Sequence, residues 1–310
     1  MTQIEVSLSG TVDVIQPFQL ETPGLRGRMV RVGPSLKKAL SPHDYPTAVA
    51  ELLGETVSTT LILANSLKYD GIFTLQTSSD GPIGTLMADV TSEGVFRCYA
   101  KYDAERVAAV SGQTPDASLP HYLGGGHMAF TVDQGPDTER YQGITELSGA
   151  SMQDCAHTYF RQSEQLQTAM VVFADAETAM AGALMIQRLP EQKNIMDDGG
   201  DEDWRRAVAL MSSVKSSELL DADLTPADLL FRLFHEEGVR LFDQHPVRNE
   251  CRCSRGKVET TLKSFPREEI EEMHEDGIVT VTCEFCKVAY SYDDEALDAL
   301  YSSQDNEGAT

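Results

Sequence analysis

The chain has 310 residues, enough for a large hydrophobic core and one further small domain. Its 41% apolar and 24% charged residues exclude a disordered or fibrous protein. The 49 acidic residues outnumber the 25 basic ones and leave a net charge of -24, which disfavours binding to nucleic acid or to membranes with anionic lipids.

No targeting signal is visible in the sequence. Residues 1–5 have neither a basic start nor an apolar run. The most apolar stretch, 169–189, contains Asp175 and Glu177 and so does not predict a membrane span. We therefore expect a cytoplasmic location, where reducing conditions favour metal-binding or reactive cysteines over structural disulfides.

Residues 55–147 predict a sheet, because β-branched and apolar runs alternate with tight turns. Strands are predicted over 59–63, 72–75, 95–100 and 128–132, with a turn at 80–82. Helices follow this sheet-rich part. Ser151 and Asp154 have the spacing of a capping box, so a helix should begin there and run toward residue 165. The alanine-rich segment 177–189 predicts a second helix.

These elements predict an α+β N-terminal domain over residues 1–190. The next segment, 190–203, holds six acidic residues and one lysine, the composition of a solvated connector. Residues 204–242 are amphipathic, and Thr225 precedes a proline at the first position of a predicted helix that Gly238 ends. We assign 191–246 to an acidic connector and an amphipathic helical linker, whose apolar side must dock on another surface.

The last part of the chain has the pattern of a small module over residues 247–292. A helix is predicted over 266–276, and a strand over 278–282 leads into a pair of cysteines. Residues 293–310 carry six acidic side chains and no basic ones, which predicts an acidic tail with a frayed end.

Four cysteines of this module form two pairs, Cys251 with Cys253 and Cys283 with Cys286, separated by 29 residues. Two thiolates close in sequence bind one side of a metal ion, and a second pair on a returning segment completes a tetrahedron. Four soft thiolates select zinc or an iron–sulfur cluster over harder cations. The sequence therefore predicts one Zn²⁺ per chain, which would supply folding free energy to so small a module.

The spacing leaves two roles open for these cysteines. Most four-cysteine zinc sites are permanent structural elements. Alternatively, an oxidant can close each pair, Cys251 to Cys253 and Cys283 to Cys286, as a local disulfide, which expels the metal and unfolds the module. The spacing permits this redox switch but does not require it. Cys98 and Cys155 lie outside the pattern and are predicted to be buried apolar residues.

Motifs along nearly the whole chain match one family. They are 251–255, 268–273, 281–286 and the following Tyr290 in the C-terminal module, 229–239 in the linker, and 68–71, 80–84, 141–149 and 159–165 in the N-terminal domain. With these motifs the chain resembles the heat-shock protein 33 family, the redox-regulated holdase chaperones. Lys287 departs from the pattern, because a zinc turn often has glycine there.

This resemblance implies that the reduced, zinc-bound form is inactive. Oxidation of the cysteine pairs, with zinc release and unfolding of the linker, would expose apolar surface that binds unfolding client proteins without ATP. The resemblance also favours a homodimer when oxidised. We expect no enzymatic activity, since no acid–base or nucleophile constellation is recognisable in the sequence.

Two other functions compete with this one. A thiol–disulfide oxidoreductase would use Cys283 and Cys286, but it needs an exposed cysteine at a helix N-terminus, and this pair follows a predicted strand among acidic residues. A constitutive zinc-ribbon module would bind a partner protein and keep its zinc in the presence of peroxide.

Overall fold

The computed structural model describes residues 10–22, 24–114, 117–135, 138–160, 166–189 and 199–307. The chain divides into two compact units, Met1–Glu250 and Cys251–Thr310. The predicted helical stretch over 161–165 and residues 190–198 of the connector predicted over 190–203 lie outside the described residues, whereas residues 199–203 begin the helix Gly199–Ser212. The described part of the amphipathic linker belongs to the first unit. The domain boundaries after residues 190, 246 and 292 remain predictions.

Two six-stranded sheets form the framework of the first unit. Its strands are β1 (Val14–Leu20), β2 (Leu25–Val32), β3 (Ile72–Ser79), β4 (Ile83–Thr91), β5 (Val95–Tyr102), β6 (Gly126–Asp133), β7 (Tyr141–Glu146), β8 (Thr168–Asp175), β9 (Met180–Arg188), β10 (Val239–Leu241), β11 (His245–Pro246) and β12 (Arg248–Asn249). Sheet A has the order β10-β1-β2-β9-β8, with β11 also paired to β1. Sheet B has the order β12-β5-β4-β3-β6-β7.

A central helix separates the two sheets. The helices of this unit are α1 (Pro34–Leu40), α2 (Thr47–Ala64), α3 (Ala104–Gln113), α4 (Leu119–Leu123), α5 (Met152–Tyr159), α6 (Gly199–Ser212), α7 (Ser216–Leu219) and α8 (Pro226–Phe234). Helix α2 contacts β2, β8 and β9 of sheet A and β3, β4 and β5 of sheet B. It is long and apolar enough to cross a membrane, but 67% of it is buried inside the unit, as in a core helix.

The predicted strand over 59–63 is wrong, because these residues belong to α2. A helix packed between two sheets buries apolar side chains on every side, which hides the 3.6-residue period that identifies a surface helix. Its threonines fit the helix by bonding to the preceding turn, as Thr60 Oγ1 does to the Thr56 carbonyl at 2.7 Å.

The predicted helix over 177–189 is also wrong, because this segment forms β9. Strand β9 pairs with β2 on one side and β8 on the other. Helix α2 contacts it, as do α6 and α7. A strand buried on both faces carries an unbroken apolar run, and these contacts outweigh the helix propensity of its alanines.

Other predicted elements of the first unit are confirmed. The strands over 72–75, 95–100 and 128–132 lie within β3, β5 and β6, and residues 80–82 connect β3 to β4. Helix α5 begins after Ser151, whose hydroxyl accepts from the Asp154 N–H while the Asp154 carboxylate accepts from the Ser151 N–H. Thr225 caps α8 by accepting from the Asp228 N–H at 3.0 Å.

Helices α6, α7 and α8 pack on a face of sheet A through a hydrophobic cluster of their own, here called the linker cluster. Its buried members are Phe18, Leu20, Leu25, Met29, Ala169, Leu184, Ile186, Ala207, Met211, Val214, Leu219, Leu224, Leu229, Leu230 and Phe234. Phe18 of the sheet stacks on Phe234 of α8 with ring centroids 5.7 Å apart. The docking surface that the amphipathic pattern required is therefore sheet A.

The second unit is a hairpin surrounded by helices. It contains α9 (Arg255–Leu262), α10 (Arg267–Glu271), β13 (Ile278–Thr282), β14 (Ala289–Asp293) and α11 (Asp294–Glu307). The strand over 278–282 is confirmed, whereas the helix over 266–276 is shorter than predicted, and α9 and α11 had not been predicted. Part of the expected acidic tail thus forms α11, which buries Leu297 in the core of the unit.

Candidate metal centre

Cys283 and Cys286 lie in the turn of the β13–β14 hairpin. The strands pair from Ile278 with Asp293 to Thr282 with Ala289. The pairing continues into the turn, because the Cys283 N–H donates to the Val288 carbonyl at 2.9 Å and the Lys287 N–H donates to the Cys283 carbonyl at 2.8 Å. The hairpin thereby holds the two thiols on one side of the site.

Lys287 adopts a left-handed backbone conformation, with φ of 56°. This is the position where glycine was expected, because a residue with a Cβ is strained in that region. The Lys287 ammonium donates to Glu284 Oε2 at 2.9 Å across the same turn. The tight turn therefore forms without glycine.

Cys251 and Cys253 come from the extended segment that precedes α9. Ser254 caps this helix by accepting from the Lys257 N–H at 3.3 Å. The Lys257 ammonium donates back to the Arg252 carbonyl at 2.8 Å. These contacts fix the backbone between the two cysteines and direct them toward the hairpin.

The four cysteines meet as one cluster. Cys251 Sγ lies 3.6 Å from Cys283 Sγ, and Cys253 Sγ lies 3.4 Å from Cys286 Sγ. All four sulfurs lie within 4.8 Å of one another, which is close enough to hold a metal ion. Each is a free cysteine, and each of these residues is partly exposed. The sequence therefore predicted correctly that these four residues converge.

The cluster is a poor environment for unassisted ionisation. The pKa of Cys286 is raised to about 12. Burial is the main cause, and hydrogen bonds with the neighbouring thiols contribute to the same shift. Tyr290 donates its hydroxyl to Cys253 Sγ at 3.1 Å. Four thiolates at such short separations need a cation among them, which is the chemistry of a metal site.

The hydrophobic core around this cluster is small. Its buried members in the described part of the unit are Leu262, Ile270, Val279, Tyr292 and Leu297. The Arg255 guanidinium lies 4.4 Å from the ring centre of Tyr292, and Tyr301 Oη donates to the Leu262 carbonyl at 2.8 Å. So few buried side chains contribute little net stability, and a metal ion bound by four thiolates would add to it.

The two remaining cysteines and the histidines His245 and His274 lie outside the cluster. Cys98 and Cys155 are buried in the core of the first unit, and burial raises the pKa of both thiols, that of Cys98 to about 12. Both are thus poorly nucleophilic, as the sequence predicted. Among the described residues, His245 and His274 are not in the metal-binding group, and His274 lies 3.4 Å from Asp294.

Comparison with known proteins supports this architecture. The family model described as Hsp33 protein matches residues 13–293. A 33 kDa chaperonin from Caulobacter vibrioides strain NA1000 / CB15N is 38% identical over 301 residues, which cover 94% of this chain and 99% of that protein. A 33 kDa chaperonin from Nitrosococcus oceani is 38% identical over 293 residues, 94% of this chain and 95% of that protein.

The fold is also that of a solved relative. The crystal structure of the 33 kDa chaperonin (heat shock protein 33 homolog) from Thermotoga maritima aligns with a TM-score of 0.80 over 95% of this chain and 99% of that one, at 21% identity. The resemblance found in the sequence is confirmed by the family match, and the chain belongs to the Hsp33 protein family.

Proposed function

We propose that this chain is a redox-regulated, ATP-independent holdase that binds unfolding proteins and acts without catalysing a reaction. The observation that carries the proposal is the four-thiol cluster, because four partly exposed cysteines converge in a unit that has only a small core of its own. Membership of a family whose relatives are named 33 kDa chaperonin supports the chaperone role. The reducing cytoplasm is the compartment in which such a cluster stays reduced.

The cluster fits zinc. A tetrahedral Zn²⁺ site with Zn–S bonds of about 2.3 Å places its sulfurs about 3.8 Å apart. The sulfur separations of 3.6 and 3.4 Å in this cluster are close to that value, and all four lie within 4.8 Å of one another. Cys251, Cys253, Cys283 and Cys286 would hold one ion per chain, and the ion would stabilise their thiolates and link α9 to the hairpin.

Oxidation by hydrogen peroxide would remove these ligands in pairs. One thiolate of a pair attacks a peroxide oxygen, the O–O bond breaks, and a sulfenic acid and hydroxide form. The second thiol attacks the sulfenic sulfur and forms the S–S bond, and two water molecules result after proton transfer. Each pair loses two electrons to one peroxide. We expect the disulfides Cys251–Cys253 and Cys283–Cys286, which leave no thiolate to hold zinc.

The same event would release the linker. The polypeptide runs directly from the linker into the cysteine module, since β12 ends at Asn249 and Cys251 follows two residues later. Unfolding of α6, α7 and α8 would uncover the linker cluster on sheet A, including Phe18, Leu20 and Met29. A surface of this kind binds apolar segments of unfolding proteins, and the net charge of -24 would keep the opened form in solution.

The opened form also offers apolar surface for self-association. We include a homodimer of oxidised chains in the proposal for that reason. Binding of nucleic acid or of anionic membranes is not part of the proposal, because the net charge of -24 opposes both. Sedimentation at increasing peroxide would test the dimer directly.

Light scattering from a thermally denatured client tests the function. The reduced, zinc-bound protein should not suppress aggregation, and the peroxide-treated protein should suppress it at near-stoichiometric ratios. Replacing Cys283 and Cys286 by serine should make activity independent of oxidant. The control variant, with Cys98 and Cys155 replaced by alanine, should keep the oxidant response.

The same samples separate the competing functions. Turnover in an insulin-reduction assay would favour an oxidoreductase over a holdase. Retention of zinc in peroxide would favour a constitutive zinc module. Equal suppression of aggregation with and without peroxide would contradict redox regulation.

A further inference from the structure

Arg31 is a fully buried charge on the sheet that the linker covers. It lies on β2 with an exposed fraction of 0%, on the same face as Met29 of the linker cluster. Burial is the main effect that lowers its pKa, to about 10, and Asp221 opposes that effect. A buried guanidinium is costly unless its N–H groups find acceptors, so its partners matter.

Arg31 donates to four backbone carbonyls, of which three belong to the linker and one, that of Thr11 at 3.2 Å, lies before β1. Its Nε donates to the Leu219 carbonyl at 2.7 Å, and its Nη1 donates to the Leu224 carbonyl at 2.6 Å. Its Nη2 donates to the Glu218 carbonyl at 3.3 Å. Glu218 and Leu219 are the last two residues of α7, and Leu224 lies two residues before the start of α8. One side chain of sheet A therefore supplies hydrogen-bond donors to the carbonyls at the end of α7 and just before α8.

Sheet A is shaped for this contact. Arg31 pairs across the β2–β9 ladder with Gly182. A Cβ at Gly182 would lie 3.1 Å from Leu219 Cγ and 3.1 Å from the Val30 carbonyl oxygen. The absence of a side chain on Gly182 lets Leu219 approach the sheet beside the guanidinium. Gly182 and Arg31 together form the surface of sheet A on which the end of α7 docks.

We propose that Arg31 is the residue that latches the linker in its docked, inactive position, an inference that rests on the proposed holdase function. Apolar contacts alone tolerate sliding and partial opening, whereas three carbonyls aimed at one guanidinium specify a single docked position. Release of α7 returns both the guanidinium and the carbonyls to water, so the latch opens without leaving an unpaired group. Loss of Arg31 from the docked form instead leaves buried carbonyls without donors.

The test replaces Arg31 by methionine in the full-length, reduced and zinc-loaded protein. Opening is measured by tryptic cleavage after Lys215, which directly precedes α7, and by emission of Trp204, the single tryptophan in the sequence. Cleavage should accelerate roughly ten- to hundredfold, because carbonyls left without donors destabilise docking. Zinc content should stay unchanged.

Arg28→Met is the matched control. Arg28 lies on the same strand but on the opposite face, where its Nε donates to the Asn65 carbonyl after α2 at 2.9 Å. It should leave cleavage and Trp204 emission as in the unmodified protein. Two further variants cover the case in which Arg31→Met fails to fold. Arg31→Lys keeps the positive charge but loses the planar guanidinium with its several N–H donors, and Gly182→Ala places a Cβ against Leu219. Both variants should accelerate cleavage, by a smaller factor than Arg31→Met.

The outcomes distinguish the latch from the holdase. An Arg31 variant that is open, zinc-bound and active in reduced form supports both. An Arg31 variant whose linker is open but which has no affinity for a denatured client would support the role of Arg31 as a latch and would contradict the proposed holdase function. Cleavage rates for Arg31→Lys and Gly182→Ala equal to those of Arg28→Met would overturn the latch, whatever the chaperone assay shows.

Discussion

The hydroxyl of Tyr290 donates a hydrogen bond of 3.1 Å to Cys253 Sγ. This bond is the first cause of the raised pKa of Tyr290, which lies at about 12 and keeps the hydroxyl protonated at neutral pH. A donor on a thiolate withdraws electron density from the sulfur and slows its attack on peroxide. The pair therefore couples β14 to the reactivity of the cluster.

Replacing Tyr290 by phenylalanine should accelerate peroxide-driven zinc release. One hydrogen bond contributes about 0.5–1.5 kcal/mol, so a two- to tenfold increase in rate is expected. A chromophoric zinc chelator at fixed peroxide concentration measures it. Tyr292→Phe is the control, because Tyr292 Oη has no hydrogen-bond partner in the described structure. A rate for Tyr290→Phe no higher than the control would contradict this role.

Leu297 links the C-terminal helix α11 to the rest of the second unit. It is fully buried in the small core of the second unit. Leu297→Ala should destabilise the module by about 2–4 kcal/mol, because it leaves a cavity beside Tyr292 and Ile270. Zinc affinity, measured by chelator competition, should fall in parallel since folding and metal binding are linked. The exposed neighbour Glu295 provides the control, and a Leu297→Ala affinity equal to that of Glu295→Ala would refute the coupling.

Glu237 pairs with another linker residue and hydrogen-bonds to the turn between β1 and β2. Its carboxylate accepts from Arg206 Nη2 of α6 at 3.1 Å and from Thr22 Oγ1 at 2.9 Å. Arg206 is the main cause that lowers the pKa of Glu237. A carboxyl with a lowered folded pKa stabilises the docked form above its unfolded pKa of about 4.5, and that stabilisation is lost as pH falls through the folded value.

Glu237→Gln should therefore loosen the linker at pH 7, where the ion pair is fully formed. The difference from the unmodified protein should shrink as the pH falls below 4.5 and through the lowered folded pKa of Glu237, because both proteins then lack the negative charge. Emission of Trp204 follows the change. Glu236→Gln, which alters an exposed neighbour, should have no effect. Identical urea midpoints for the Glu237 and Glu236 variants at pH 7 would rule out the contribution of this pair.

Glu55 on α2 should make the first unit less stable as pH rises. Burial, with a smaller contribution from Glu51, raises the pKa of Glu55 to about 7. Between an unfolded pKa of about 4.5 and this value the folded state binds more protons than the unfolded state, so stability declines across that window. Glu55→Gln should remove the decline and stabilise the unit at pH 8 by up to about 3 kcal/mol. Unfolding curves at pH 5 and pH 8 test this.

The exposed Glu105 of α3 is the matched site for that experiment. Glu105→Gln should leave the dependence of stability on pH unchanged. If Glu55→Gln behaves in the same way, the buried carboxyl does not set the pH dependence of this unit.

The sequence predicted the four-cysteine cluster better than the secondary structure around the core of the first unit. Cysteine pairs are recognised by residue type and spacing alone. Helix caps such as Ser151 and Thr225 are also predictable, because they contact residues within one turn of the same helix. The segments 59–63 and 177–189 were misassigned because burial from several sides removes the periodicity that distinguishes a helix from a strand. Tertiary contacts decided both cases.

Arg31 and Tyr290 show a second limit. The three linker carbonyls that accept from Arg31 lie 187, 188 and 193 residues further along the chain, so no local pattern signals them. An arginine inside a strand is ordinary, and only the fold shows that it is buried. Tyr290 entered through the family resemblance, but its bond to Cys253 spans 37 residues and depends on the β13–β14 register.

We expect oxidation of the thiol cluster to release a metal ion and thereby to create affinity for unfolded protein. The most direct measurement follows zinc release, loss of free thiols and suppression of client aggregation in one peroxide time course. We predict one zinc released per chain, four thiols lost, and chaperone activity that rises in step with both. Full zinc release without any suppression of aggregation, or suppression that appears while zinc is retained, would contradict the account.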